Sequence, residues 1–529
     1  MITQNNSTSI QTAHRGRKGG VLVSMIAVMM ILGVMGVSII SLTQTSEQSY
    51  LSANSTNRAY YLAESGLRYA QEIYCEDGWR HGRQRTLRLD SGDEVEIIRL
   101  VNTFWATAIV DEGTAQEARA SVPMPLSLCG VEVEADPLEE FALFGDVGIS
   151  LGNNTVIRGD VAITGADIDI QGDIEGDVLA QNIAFTGQGT VSGDVFASGE
   201  VDIKTGNVTG DIHAATSITL GSAQATVFDG WLFSGTSIFL EGKAQALGHV
   251  HACGGDISLS GSSSIGTADN PVEVRASGNI TMGGSTKIYG NVYAGGTIVV
   301  GSGTIYGNAY AGGPISSGTV TGAKFPNSPS YVKEAICPDL SNLDGLDLPE
   351  ATEFSAGGSN INVTENSSTY LPPDSYGELD TISNAGGTQL TLTTGGTDHG
   401  NYYFESLGIG NFFTLRFNLS GTHGIRVFVE GDIEIGRDLI TLVSTDGTNY
   451  LPMTDPSVDP ELAARIYFET QGDFSVGQSS NFTGAVYTPD GNISVSSGGS
   501  LVGSLFSGGG HDIKATTVVH VSPNYFSEE

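Results

Sequence analysis

The feature that most constrains this chain is a repeat of seventeen residues. IRGDV (157–161), IEGDV (174–178), VSGDV (191–195) and VTGDI (208–212) place glycines at 159, 176, 193 and 210, spaced by 17 each time. Later copies, ALGHVHA (246–252), IYGNVYA (288–294) and IYGNAYA (305–311), keep the same grammar, and the last pair is again 17 apart. Between them lie short alternating runs such as VDIKTG, SITLG and TIVVG. So short a unit cannot hold a helix, a strand and their turns. It suits one coil of a β-solenoid, with about three short strands around a compact cross-section. Val and Ile take the inward positions, while glycine lets the chain turn a corner or lets backbones approach closely. Each coil pairs with the coils above and below, which satisfies most backbone groups without a helical layer. A second block uses longer coils: GIRVFVEGDIEIG (424–436), RIYFETQGDFSVG (465–477), FTGAVYTPDGNISV (482–495) and SLVGSLFSGGGHDI (500–513).

Composition narrows the function. The chain has 529 residues, enough for two to four domains. Its 72 glycines show no strict three-residue period, so it is not collagen-like, and a hydrophobic content of 39% is ample for packed cores. A formal net charge of -36 repels nucleic-acid phosphates, so no nucleic-acid partner is expected. Four cysteines, Cys75, Cys129, Cys253 and Cys337, are too scattered for a CxxC-type metal site. In an exported chain they can form two disulfides. Proximity in sequence favours Cys75–Cys129 with Cys253–Cys337, although three connectivities are open.

The N-terminus carries a different pattern. His14, Arg15, Arg17 and Lys18 precede a run without charge from Gly19 to Ser46, almost wholly apolar from Val21 to Leu42. As a helix this run is long enough to cross a bilayer, and its basic flank keeps the N-terminus cytoplasmic. Ala59, Leu62, Ala63, Gly66, Ala70 and Ile73 then fall on one helical face, with Glu64 and Arg68 four apart. The spacing predicts one long helix from about 21 to 75, apolar first and amphipathic later. Alternation predicts three or four strands after it, in RTLRLD, DEVEIIRLV and TFWATAIVDEGTAQEARASVPM.

The basic leader ending in glycine, the run LVSMIAVMMILGVMGVSIISL and the stretch NRAYYLAESGLRYAQE resemble the N-terminus of PilX-type minor pilins of type IV pili. The resemblance covers about residues 15 to 75. It implies cutting by a prepilin peptidase between Gly19 and Gly20, or at the neighbouring bond after Gly20. It also implies an assembly helix bearing Val21, Leu22, Ile26, Leu32 and Leu42, and other pilins as partners. Most pilins carry glutamate where that register puts Ser24, a departure that points to a specialised minor subunit. The GD[VI] coils resemble bactofilins, whose β-helices carry similar units. GAVYTPDGNISV is similar to coils of proteins that join PilX-like N-termini to β-helical C-terminal halves.

Chemistry is weakly signalled. Asp160, Asp177, Asp194 and Asp211 recur once per coil as a ladder of like charge, read as solvated corner residues in preference to calcium bridging or catalysis. His249 and His251 share one side of a strand beside Cys253, a spacing that can bind metal but is read as coil packing. The tyrosines of YGNVYA and YGNAYA are read as a stacking ladder in preference to a sugar platform. There is no GxSxG, HExxH or Walker A pattern. No enzyme activity, cofactor or metal is expected.

The expected fold is mainly β: a long N-terminal α-helix with a small pilin-like β-sheet, then a β-solenoid of about 17-residue coils. The expected divisions are a leader (1–19), a transmembrane and assembly helix (20–75), a pilin-like sheet region (76–138), β-helix repeats (139–322), a linker and irregular β region (323–423) and a second β-helix block (424–529). The expected function is a non-enzymatic minor pilin-like subunit that presents its β-helix for assembly priming or adhesion to an unidentified surface ligand. It would be single-pass in the inner membrane before assembly, then in the periplasm or at the cell surface. The rival readings are a permanently anchored β-helical scaffold and, behind it, a polysaccharide-degrading enzyme.

Overall fold

The computed structural model describes residues 58–70, 84–89, 93–100, 103–110, 118–125, 141–222, 226–316, 318–335, 337, 340, 346, 348–381, 386–394 and 399–521. The chain divides into two compact units, a small one holding the helix and much of a four-stranded sheet, and a large one holding the solenoid.

In the small unit a helix runs over residues 58–70. Ala59, Ala63, Leu67 and Ala70 are buried, and Glu64 pairs with Arg68 at 2.8 Å on the exposed side. Gly66 must lack a side chain, because a Cβ there would sit 2.5 Å from Val95 Cγ1. Strands Gln84–Arg88, Glu94–Leu100, Thr103–Val110 and Ala118–Pro125 lie side by side in chain order. Four strands agree with the three or four that the alternation predicts.

The expected long N-terminal helix is corrected. Within 20–75 the helix described spans 58–70 only. It carries Arg58, Glu64 and Arg68. No helix among the described residues is long and apolar enough to cross a membrane. The single-pass inner-membrane placement is therefore withdrawn. Gly19, Gly20, Val21, Leu22, Ser24, Ile26, Leu32 and Leu42 lie outside the described residues, as do Cys75 and Cys129.

The large unit is a three-sided parallel β-solenoid. Among the described residues two sides are sheets of 16 strands, and the third is divided into sheets of 11 and 6 strands. The 17-residue spacing is the register itself: Val178 pairs with Val195, Val195 with Ile212, and Thr190 with Asn207. Inward columns of Val, Ile, Leu and Phe form one continuous core running through both blocks. The glycine before each corner aspartate is forced by the stacking. A Cβ on Gly193 would sit 2.5 Å from the carbonyl oxygen of Gly176, and one on Gly210 2.3 Å from that of Gly193.

The two blocks form a single stack, joined in an order that the chain does not follow. Leu143–Gly145, in the first coil, pairs on one edge with Val161–Ile163 and on the other with Leu505–Ser507. Ile149–Leu151 likewise pairs with His511–Ile513, and Val156–Arg158 with Thr517–Val519. The chain thus enters at the waist of the solenoid and winds to one end at Lys324–Phe325. It then returns to the far end at Ile361–Val363 and winds back to the waist. The strands from Ile361–Val363 to Thr414–Asn418, irregular in sequence, belong to this same solenoid. Sixteen rungs at about 4.8 Å make a stack of about 70 Å.

Candidate functional site

Three features of the solenoid carry side chains in patterns beyond simple core packing. The first is the corner ladder. Asp160 Oδ1 accepts the backbone N–H of Asp177 at 2.8 Å, Asp177 Oδ1 that of Asp194 at 2.7 Å, Asp194 Oδ1 that of Asp211 at 2.6 Å, and Asp211 Oδ1 that of Trp231 at 2.7 Å. The carboxylates are half-buried, not solvated. Burial, followed by the neighbouring carboxylate of Asp211, pushes Asp194 up to about 7, and burial with Asp160 and Asp194 raises Asp177. Asn291 and Asn308 do the same work further along, accepting from Asn308 and Ala323 N–H groups. In the second block Asp432, Asp473 and Asn492 repeat it.

The second feature is the outer surface of the sheet that contains Leu143–Gly145. Its outward positions are largely aromatic, and they align rung on rung. Phe196 stacks on His213 and His213 on Phe233, both at 4.9 Å; Tyr293 stacks on Tyr310 at 4.8 Å and Tyr310 on Phe325 at 4.7 Å. Phe144, Phe196, Phe233, Tyr293, Tyr487 and Phe506 are nonetheless buried. Described residues of the returning segment 326–360 cover part of this surface as a strap. Lys333 binds Glu273 at 2.7 Å and lies over the Tyr293 ring, and Arg275 donates to the Glu334 carbonyl at 3.2 Å. Burial alone would raise Glu273, but Arg275 and Lys333 hold it down at about 2.

Further along the strap, Cys337 is disulfide-bonded to Cys253. Leu346 lines a small cavity together with Ala162 and Leu179, and the Tyr487 hydroxyl donates to the Pro349 carbonyl. Thr352 donates through N–H and Oγ1 to the two oxygens of Glu469, at 2.6 and 2.7 Å. Phe354 packs against Phe428 and Tyr403, and Ala356 N–H donates to Glu430. Glu469 is fully buried and also accepts from Tyr467, so its charge is met by three donors.

His249 and His251 do share one side, with ring centroids 6.2 Å apart, but the disulfide removes Cys253 as a thiolate ligand. His249 Nδ1 accepts the Glu273 N–H at 3.0 Å, and burial followed by Arg275 pushes His251 down to about 3. These rings pack with Trp231 and Phe233. Among the described residues no cluster of three or more His, Cys, Asp or Glu side chains is placed to hold a metal.

The third feature is the pair of ends. At one end Thr319–Val320 and Lys324–Phe325 are the outermost strands of their sheets. Asn327 and Ser328 stack on the coil before them by donating to the carbonyls of Gly313 and Ala311, and Tyr331 in the 3-10 turn Pro329–Tyr331 is 61% exposed. At the other end Ile361–Val363 and Ser368–Leu371 are the outermost strands of their sheets, and among the described residues no strand pairs with their outer edges. Tyr370 there is 61% exposed.

Comparison with known proteins divides along the two blocks. Residues 149–251 match the bactofilin family, described as polymer-forming cytoskeletal, and residues 359–524 match a domain of unknown function, DUF7305. The first block is thus bactofilin-like, and neither match reaches the PilX-like residues. No curated protein matches the chain in sequence. Among solved structures, an ice binding protein from an Antarctic bacterium Flavobacteriaceae is 15% identical over 73% of this chain and 98% of its own, with a TM-score of 0.20. The competence-associated pilin ComZ from Thermus thermophilus is 11% identical over 88% of this chain and 92% of its own, with a TM-score of 0.17. Superpositions at those scores carry no weight for fold or function.

Proposed function

We propose that this protein is a non-enzymatic structural subunit whose β-solenoid takes part in building a filament. The observation that carries the reading is that both ends of the solenoid present open strand edges. Among the described residues no strand pairs with the outer edges of Lys324–Phe325 and Thr319–Val320 at one end, or of Ile361–Val363 and Ser368–Leu371 at the other, while the chain enters and leaves at the waist. Open parallel edges are templates for further pairing. The polymer-forming description of the family matching 149–251 agrees with such a use. Polar side chains of the corners are engaged in coil-to-coil hydrogen bonds, a structural and not a reactive employment.

The finer reading is a minor pilin-like subunit, with prepilin peptidase and other pilins as partners. It is supported by the AESGL stretch, which lies on the helix over 58–70, whose buried face packs on a small sheet. Mass spectrometry of the mature N-terminus tests it. A chain beginning at Gly20 or Val21 is expected in cells with an active prepilin peptidase, and an intact Met1 there would leave only the β-solenoid scaffold reading.

A further inference from the structure

We propose that the solenoid binds a short acidic oligosaccharide in a cleft on its six-stranded side, where an aromatic ladder lacks one rung. The proposal is independent of the filament reading. The cleft measures about 440 Å³ and includes Gln245, Ser264, Gly266, Lys287 and Tyr289 in its lining. That volume falls in the range of small-molecule sites.

The register shows how the cleft arises. Tyr289 pairs with Tyr306, and their rings stack at 4.6 Å and within 6° of parallel. On the other side, Ile288 pairs with Ile265, which puts Gly266 at the position under Tyr289. Glycine has no side chain to continue the stack, so one face of the Tyr289 ring looks into the cleft. Gly266 is held at φ +69, which disfavours any larger residue there. After it the coil swells into a turn in which Asn270 N–H donates to Thr267 Oγ1, and this turn walls the cleft. The second tyrosine ladder, Tyr293 on Tyr310, has no such opening, since Lys333 of the strap lies over it.

The lining names the ligand class. A flat ring that stacks at the vacant rung presents either C–H groups or a π-face to Tyr289. Around it, among the described residues, the side chains of Gln245, Ser262, Ser264, Ser285 and Lys287 make no hydrogen bond within the protein. That contrasts with the corners, where polar side chains are engaged rung by rung. Several free hydroxyl and amide groups beside one aromatic face fit the hydroxyl-rich rim and apolar face of a pyranose. Lys287 is exposed and, like Lys243 and Lys324, has no carboxylate partner among the described residues, whereas Lys204, Lys333 and Lys514 are each paired with one. An ammonium so placed selects a sugar carboxylate.

Calorimetric titration of the full chain with hexuronic acid oligosaccharides and with neutral hexose oligosaccharides of equal length tests this. The acidic series is expected to bind at least about tenfold more tightly. Lys287→Gln is expected to erase that preference, and Tyr289→Leu to weaken the acidic series by about tenfold or more. An unchanged unfolding midpoint verifies that both variants are folded. Absence of binding, equal binding of neutral and acidic sugars, or binding indifferent to both substitutions would overturn the proposal.

Discussion

At the residue scale the corner aspartates join two opposing effects. Each Oδ1 accepts a backbone N–H from the next coil, which favours the carboxylate, while burial and the neighbouring carboxylate disfavour it. Burial wins at Asp194, raised to about 7, and at Asp177. A group raised in the fold holds its proton more tightly there than in the unfolded chain. Its contribution to stability is complete below the ordinary carboxylate range and is lost as pH climbs to about 7. Stability is therefore expected to fall by on the order of 1–3 kcal/mol between pH 5 and pH 8, in urea titrations at each pH. Asp194→Asn keeps the acceptor oxygen, as Asn291 and Asn308 do naturally, and is expected to raise stability at pH 8 and flatten the profile. The recurrence of these aspartates is plain in the sequence. That they are half-buried along the stack is not, because spacing cannot say whether a corner side chain points to water or to the next coil.

At the scale of elements the decisive piece is the strap. The 17-residue repeat made the coils and their inward Val and Ile columns legible. The strap was not, because residues 326–360 carry no periodicity and read as a linker. A signal for it existed in the triplets VFA, IHA, VHA, VYA and AYA, whose middle residue faces outward yet is aromatic or histidine. A strand apolar on both faces belongs to a sheet covered on both sides. The Cys253–Cys337 bond closes a separation of 84 residues. Reduction, or Cys337→Ser, is expected to lower unfolding stability by about 2–4 kcal/mol and to speed protease cutting within 331–360. An unchanged denaturation midpoint would mean that Glu273 and Glu469 hold the strap without help from the disulfide.

At the scale of the molecule the waist dominates. Both blocks were visible as separate repeats, but their order in space was not, since nothing local marks Leu505 as the partner of Leu143. A chain ending after Phe325 would leave the edges of Leu143–Gly145, Ile149–Leu151 and Val156–Arg158 open. Such a chain is expected to show concentration-dependent association beyond that of the full chain, measured by light scattering. The same junction orders events during synthesis. The first coil is made long before its partner coil, from about residue 500 to 519. Until then a nascent solenoid carries an adhesive raw edge at the point that will become its middle. Closing it is a long-range pairing, slow in entropy and open to capture by another nascent chain. Whatever escorts this protein must shield the centre of the rod, and must do so until the coil that closes it has been made.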